Sequence, residues 1–133
     1  MLKALLALMT TLFVSSKQLP VATNCDTASL FHIEDINVQY ELPPANSTLT
    51  IGYTVPKQIE DGLATYKCTL NGIPVINEQT PLCQETTCPI EAMFHNDSNP
   101  FQTGLATGTV SCTMKWLATD SSVLRCIRIV ETS

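Results

Sequence analysis

Residues 64–76 read ATYKCTLNGIPVI, and this short stretch contains the strongest local structural signal of the sequence. Apolar side chains occupy every second position from Ala64 to Leu70, which is the period of a β-strand with one buried face. Asn71 and Gly72 separate this run from a second apolar run, Ile73–Ile76. Asn and Gly readily adopt the positive φ angles that a type I′ turn requires at both central positions. The stretch therefore predicts a tight β-hairpin.

The same two-residue period recurs on both sides of the hairpin. Apolar and polar residues alternate in Leu49–Val55 and again in Val110–Trp116, and residues 120–122 (DSS) turn the chain into a last strand, Val123–Val130. No segment combines sustained apolar residues at helical spacing with helix caps. Short strands separated by turns about every 8–12 residues predict an all-β fold, a β-sandwich of two antiparallel sheets.

Composition and charge exclude several classes of function. The 133 residues suffice for one domain, and a hydrophobic content of 44% is enough to bury a core. The net charge is −5, and Lys and Arg form no cluster. Nucleic-acid binding depends on clustered cations, so we expect no nucleic-acid partner. The acidity also argues against constitutive docking on anionic membranes.

The motifs of catalysis and metal binding are missing from the sequence. The two histidines, His32 and His95, lie in polar or loop contexts, and neither G-x-S-x-G nor H-E-x-x-H occurs. The carboxylate pairs at 34–35 and 60–61 fall in turn-like segments, where solvated charge is the usual explanation. We therefore predict a protein that is not an enzyme and requires neither a cofactor nor a metal.

Residues 1–16, MLKALLALMTTLFVSS, predict a secretory signal peptide. Lys3 precedes the apolar run Ala4–Val14, and small residues follow it. The run is shorter than the ~20 residues that cross a bilayer, although an uncleaved anchor is the alternative. We expect cleavage near Ser16, or later near Ala22. The mature chain would then be secreted or delivered to the lumen of a lysosome or vacuole, as a monomer.

A secretory route gives meaning to six cysteines and two sequons. The cysteines form an even set in a small chain, which is typical of a disulfide framework. Spacing alone singles out one pair, Cys83 with Cys88, and no second Cys/His pair lies at zinc-like spacing. Asn46 and Asn96 begin N-x-S/T sequons, which predict glycosylation in surface loops.

The stretch Gly72–Ile90, GIPVINEQTPLCQETTCPI, and its companions resemble the ML family of secreted lipid-recognition domains. This family includes the Niemann–Pick type C sterol carrier and the fungal phosphatidylglycerol/phosphatidylinositol transfer proteins. Its pattern is an early Cys, a hairpin ending G-[IV]-P-[VL], a short Cys loop ending C-P-[IVL], a late strand and a final Cys. The matching positions here are Cys25, Gly72–Val75, Cys83, Cys88–Ile90, Val110–Trp116 and Cys126. The resemblance spans residues 24–132, the predicted domain.

The resemblance implies an immunoglobulin-like β-sandwich with a hydrophobic cavity between its sheets, stapled by the disulfides Cys25–Cys126 and Cys83–Cys88. Cys68 and Cys112 depart from the pattern, because many relatives instead carry a further disulfide in a loop between the early strands. Both lie on apolar strand faces. We expect a cross-strand bridge between them, with two buried thiols as the alternative.

Within this fold, inward-facing apolar residues would contact the tail of a lipid. A solid core is the alternative, since apolar and polar residues alternate in the same way whether the inward face lines a cavity or packs against the opposite sheet. The candidate lipid-binding residues are Ile51, Tyr53, Val55, Tyr66, Leu70, Val110, Met114 and Trp116, with Ile76, Phe94, Phe101 and Leu105 nearer the entrance. Residues 95–100 are predicted to form a polar loop, either a lid that touches membrane or a glycosylated surface.

The resemblance implies a carrier that holds a sterol, phosphatidylinositol or phosphatidylglycerol and moves it between membranes through transient membrane contact. The alternative is a secreted interaction module, the lipid-sensing partner of a receptor, without transfer activity. The sequence shows no cluster of residues that would recognise a headgroup.

Overall fold

The computed structural model describes residues 19–104 and 106–133. The predicted signal peptide, residues 1–16, and the candidate Leu105 lie outside the described residues. The strands, in chain order, are β1 (Val21–Asn24), β2 (His32–Gln39), β3 (Ser47–Thr54), β4 (Gly62–Leu70), β5 (Ile73–Pro81), β6 (Phe94–Phe101), β7 (Thr109–Ala118) and β8 (Val123–Thr132). A single-turn helix, α1 (Leu82–Glu85), joins β5 to the Cys83–Cys88 loop. No helix in these ranges is long and apolar enough to cross a membrane.

Two antiparallel sheets form the domain. The larger sheet has the order β1-β8-β7-β4-β5, and the smaller has the order β2-β3-β6. All pairs of neighbouring strands are antiparallel. The predicted all-β sandwich of two antiparallel sheets, stapled by disulfides, is confirmed.

The hairpin between β4 and β5 has the predicted turn. Asn71 and Gly72 adopt φ angles of 50° and 82°, so both central positions are left-handed, as a type I′ turn requires. Strand β5 continues to Pro81, beyond the predicted end at Ile76. Because β5 is an edge strand, its prolines can lie where no ladder hydrogen bond is needed.

One end of the sandwich is tightly packed. Tyr53, on β3, is 1% exposed and stacks on Phe31 with ring centroids 5.6 Å apart. The Trp116 ring of the opposite sheet meets Tyr53 edge-on at 6.1 Å. Such edge-to-face and stacked pairs are favourable arrangements of aromatic rings. The buried core around them consists of Leu49, Ile51, Val55, Ala64, Leu82, Ile90, Leu124 and Ile127.

The other side of the sandwich is open, because three strands cannot cover five. Strand β2 lies beside β1, so the small sheet sits over the β1–β8–β7 side of the large sheet. The inner faces of β4 and β5 extend beyond it. Ile73 is 67% exposed and Val75 is 55% exposed, and the whole of β5 except Thr80 is exposed. The interior is therefore accessible from the side of β4 and β5.

Three disulfides tie the strands. Cys25–Cys126 anchors the chain next to β1 to β8, and Cys83–Cys88 closes the loop after β5. Cys68 and Cys112 lie opposite each other on β4 and β7 and are bridged. The structure therefore has the cross-strand bridge rather than two buried thiols, together with both bridges that the family resemblance implies.

The prediction of a polar loop at residues 95–100 is wrong, because these residues belong to strand β6. His95, Asp97 and Asn99 pair with Tyr53, Ile51 and Leu49 of β3. The strand looks polar in sequence because it is an edge strand whose inward side chains contact polar partners: the Tyr53 hydroxyl donates to Asp97. Asn96 is consequently an exposed strand residue rather than a loop residue.

Candidate functional site

A cavity of about 600 Å³ lies between the two sheets. Its walls come from β4, β5, β7 and β8 of the large sheet and from β3 and β6 of the small one. This volume is within the range of about 300–1,000 Å³ that is typical of pockets for small organic ligands. The most buried wall residues, such as Ile51 and Ile127, lie at the packed end, whereas exposed ones lie on the edge strands.

Half of the twelve candidate residues line this cavity. They are Ile51, Tyr66, Phe101, Val110, Met114 and Trp116. Val110, Met114 and Trp116 all lie on the inner face of β7, at even-numbered positions, as the two-residue period predicts. Apolar wall residues that were not among the candidates are Leu49, Ala64, Cys112, Ile127 and Ile129.

The other candidates lie elsewhere. Tyr53 and Val55 are buried in the packed core, and neither is part of the cavity wall. Leu70 and Ile76 belong to the β4–β5 hairpin outside the wall, with Ile76 37% exposed. Phe94 lies away from the cavity wall: its ring covers Gly52 on the outer face of the small sheet, because it pairs with the outward-facing Thr54.

Arg125 is a charged wall residue that the sequence analysis did not identify. It lies on the inner face of β8, opposite Trp116 of β7, and its side chain is only 8% exposed. Strand β8 has apolar residues on both faces, since Leu124 and Ile127 are both fully buried. Its alternation therefore cannot tell which face of the strand is inward, and an arginine is normally placed outside.

A compact polar cluster surrounds the Arg125 guanidinium. Its Nη1 donates to Asp97 Oδ2 at 3.2 Å, and the Tyr53 hydroxyl donates to the same oxygen at 2.9 Å. The guanidinium carbon lies 3.5 Å from the centroid of the Trp116 ring and 4.9 Å from that of Tyr53. The cation thus has a counter-ion on one side and aromatic faces on the other, both of which stabilise an enclosed charge.

Burial controls the protonation of this cluster. It raises the pKa of the Tyr53 hydroxyl well above its usual value, with Arg125 opposing the shift and Asp97 adding to it. It lowers the pKa of Arg125, while Tyr53 and Asp97 oppose that shift. Since arginine stays protonated in proteins, the cavity wall contains a guanidinium, and a carboxylate and a neutral phenol lie beside it outside the wall.

The mouth of the cavity is polar and acidic. Glu78, Glu85 and Glu131 all belong to its lining. Glu131 accepts a hydrogen bond from the backbone N–H of Gly104 at 2.7 Å, and Glu85 accepts one from the Thr80 hydroxyl at 3.0 Å. Amide side chains at positions 46, 99 and 102 complete the mouth. Among the described lining residues, Arg125 is the only cation.

The fold and this cavity define a class: a disulfide-stapled β-sandwich that opens between its sheets. Residues 21–131 match the ML domain family, and the chain belongs to that family. No curated protein matches the sequence.

Solved structures share the fold at low sequence identity. The Niemann-Pick type C2 protein from the Japanese carpenter ant superposes with a TM-score of 0.59 at 12% identity, over 85% of this chain and 99% of that one. Chicken MD-1 complexed with lipid IVa gives a TM-score of 0.60 at 14% identity, over 86% and 88%. The C-terminal domain of wzt gives 0.52 at 14% identity, over 89% and 81%.

Proposed function

We propose that this protein binds a lipid in the cavity between its two sheets. The observation that carries the proposal is a cavity of about 600 Å³ whose wall is mainly apolar and which is open along β4 and β5. Each methylene that leaves water for such an interior gains about 0.8 kcal/mol, so a hydrocarbon chain can bind with few polar contacts. Membership of the ML domain family supports the same conclusion.

We further propose that the protein transfers its lipid between membranes. Ile73, Val75 and Ile76 form an exposed apolar patch on the β4–β5 hairpin, beside the open side of the cavity. Exposed apolar patches at such places are typical of membrane or protein contacts. The three disulfides support a secretory route, to the extracellular space or to an acidic lumen.

The same apolar patch also favours the alternative function, a lipid-holding interaction module. In that case the patch would contact a receptor, and lipid would stay in the cavity. The two functions differ in one measurable property, which is the movement of lipid between vesicles.

Binding is tested by expressing the full chain in a secretory host and measuring native mass spectra before and after solvent extraction. A bound mass that disappears on extraction and is identified as a lipid is the expected result. Met114→Trp should weaken it, because the larger ring takes up part of the cavity. Thr113→Trp is the matched control, since Thr113 lies on the opposite face of β7. A chain that carries no lipid and takes up none would contradict the proposal.

Transfer is tested with donor vesicles that contain a fluorescent sterol or phospholipid and with unlabelled acceptor vesicles. Ile73→Ser/Val75→Ser should slow transfer while binding stays unchanged, because these side chains lie outside the cavity wall. Leu30→Ser is the control, since it removes an exposed apolar side chain from the end of the domain near Val123. Equal transfer rates in all three proteins would argue against contact through the hairpin.

A further inference from the structure

The Arg125 guanidinium has more hydrogen-bond donors than protein partners. A guanidinium carries five N–H groups. Within residues 19–104 and 106–133, its side-chain hydrogen bond is the one from Nη1 to Asp97. Its side chain is 92% enclosed by the protein (8% exposed), and it forms part of the cavity wall. Hydrogen-bond donors of Arg125 are therefore available to whatever occupies the cavity.

This arrangement limits how a lipid can be oriented. A hydrocarbon end pressed against Arg125 would remove water from these donors and return no acceptor, and an unsatisfied buried donor is costly, more so when charged. A ligand oxygen at the same place would accept a charge-assisted hydrogen bond, which is the stronger kind. The wall thus favours a polar atom at the inner end of the ligand.

The Arg125 guanidinium is enclosed and set back from the exposed strand β5. Ala64, Trp116 and Arg125 are register neighbours across β4, β7 and β8, and all three are 7% exposed. The guanidinium carbon lies 3.5 Å from the Trp116 ring of β7, and β7 is two strands away from the exposed edge strand β5, which is a distance of roughly 10 Å at about 4.8 Å per strand. An oxygen bonded to Arg125 therefore lies deeper in the cavity than a tail that extends toward β4 and β5.

The charges around the cavity favour a neutral oxygen over an anionic one. Asp97 already balances the charge of Arg125 at 3.2 Å. Glu78, Glu85 and Glu131 line the cavity as well, so its walls carry an excess of negative charge. A carboxylate or phosphate would be repelled by these groups, whereas a hydroxyl or carbonyl oxygen would not.

We infer that Arg125, held between Asp97 and Trp116, is the anchor for the polar end of a neutral lipid, which binds with its hydroxyl or carbonyl oxygen innermost and its hydrocarbon chain toward β4 and β5. This inference rests on the proposed lipid binding. It concerns orientation and headgroup class, and it excludes a phosphorylated headgroup from the inner end.

The only tryptophan of the chain, Trp116, reports the orientation directly, because it lies against Arg125. Two long-chain primary alcohols serve as probes, one brominated on carbon 2, next to the carbon that bears the hydroxyl, and one brominated at the far end of the chain. Bromine quenches tryptophan only at close range. We expect the first probe to quench Trp116 fluorescence in the delipidated full-length protein more strongly than the second. Stronger quenching by the second would overturn the inference while leaving cavity binding intact. No quenching and no uptake of either probe would overturn both.

A paired variant tests the role of Arg125. Arg125→Met/Asp97→Asn removes both charges together and leaves neither ion unpaired, so we expect it to fold. It should weaken binding of the alcohol by about tenfold, the equivalent of one charge-assisted hydrogen bond, whereas the corresponding bromoalkane should bind no more weakly than it does to the natural chain. Equal loss for both probes, or no loss for the alcohol, would overturn the assignment.

A fatty acid of the same length distinguishes the headgroup classes. At a pH where the acid is ionised, we expect it to bind more weakly than the alcohol, because its carboxylate meets Asp97 and the mouth glutamates. Tighter binding of the acid would overturn the neutral-oxygen assignment.

Discussion

Replacing Asp97 with Asn should destabilise the fold more than the exposure of Asp97 itself would suggest. Asp97 is 30% exposed, but the cation that it balances is only 8% exposed. The substitution leaves this enclosed guanidinium without a counter-ion. Breaking a buried ion pair from one side costs about 3–5 kcal/mol. Arg125 keeps the Trp116 ring 3.5 Å away, and a desolvated cation–π contact contributes about 2 kcal/mol, so we expect the lower end, about 3 kcal/mol.

The double variant Arg125→Met/Asp97→Asn should recover part of this loss. Once the guanidinium is gone, no unpaired charge stays in the wall, and apolar replacement of a buried pair is often nearly neutral. We therefore expect the double variant to be about 1–2 kcal/mol more stable than Asp97→Asn, a coupling within the usual range for contacting residues.

Urea unfolding with the disulfides intact, followed through Trp116 fluorescence, measures all these free energies in one assay. Asp35→Asn is the control, because Asp35 is an exposed carboxylate on β2. If Asp97→Asn changes the free energy of unfolding no more than Asp35→Asn does, or if the double variant is no more stable than Asp97→Asn, the electrostatic reasoning fails.

Three further outcomes are expected from the structure. Removing the Cys25–Cys126 bridge, which spans 101 residues, should lower the free energy of unfolding by about 4–5 kcal/mol on the chain-entropy model, as measured by denaturation of the double Ala variant. Gly62→Ala should cost about 1–3 kcal/mol and lower the melting temperature, because a Cβ there collides with the Leu117 carbonyl, which is backbone and cannot move aside. The folded state holds the pKa of Tyr53 above the ordinary 10.0, so the unfolded chain loses this proton first. Stability should therefore fall as the pH rises above that value, and an ultraviolet titration should show Tyr53 ionising only with unfolding; its ionisation in the native protein at its ordinary pKa would contradict this.

Local patterns in the sequence predict the strands and their turns, because these depend on neighbouring residues alone. The Asn71-Gly72 turn and the alternation in β4 and β7 are examples. Strand β6 escapes prediction because its polar residues are explained only by partners on other strands, above all by Arg125.

The cavity wall is predictable only in part, for a similar reason. Alternation identifies the inner face of β7, but it cannot show how far the small sheet extends over the large one. Tyr53 and Tyr66 look alike in sequence, yet the first is buried in the core and the second lies at the open side. Coverage of five strands by three, a property of the whole topology, makes the difference.

The Cys68–Cys112 bridge joins β4 to β7 in the half of the sandwich where the sheets do not fill the space between them. The bridge constrains two strands through two small side chains, of which Cys112 is part of the cavity wall, and leaves the space between the sheets open. We therefore expect the cavity to be preorganised, so that a ligand does not have to order its walls when it binds. The free energy cost of ordering the walls is then absent from the binding free energy, which makes binding tighter.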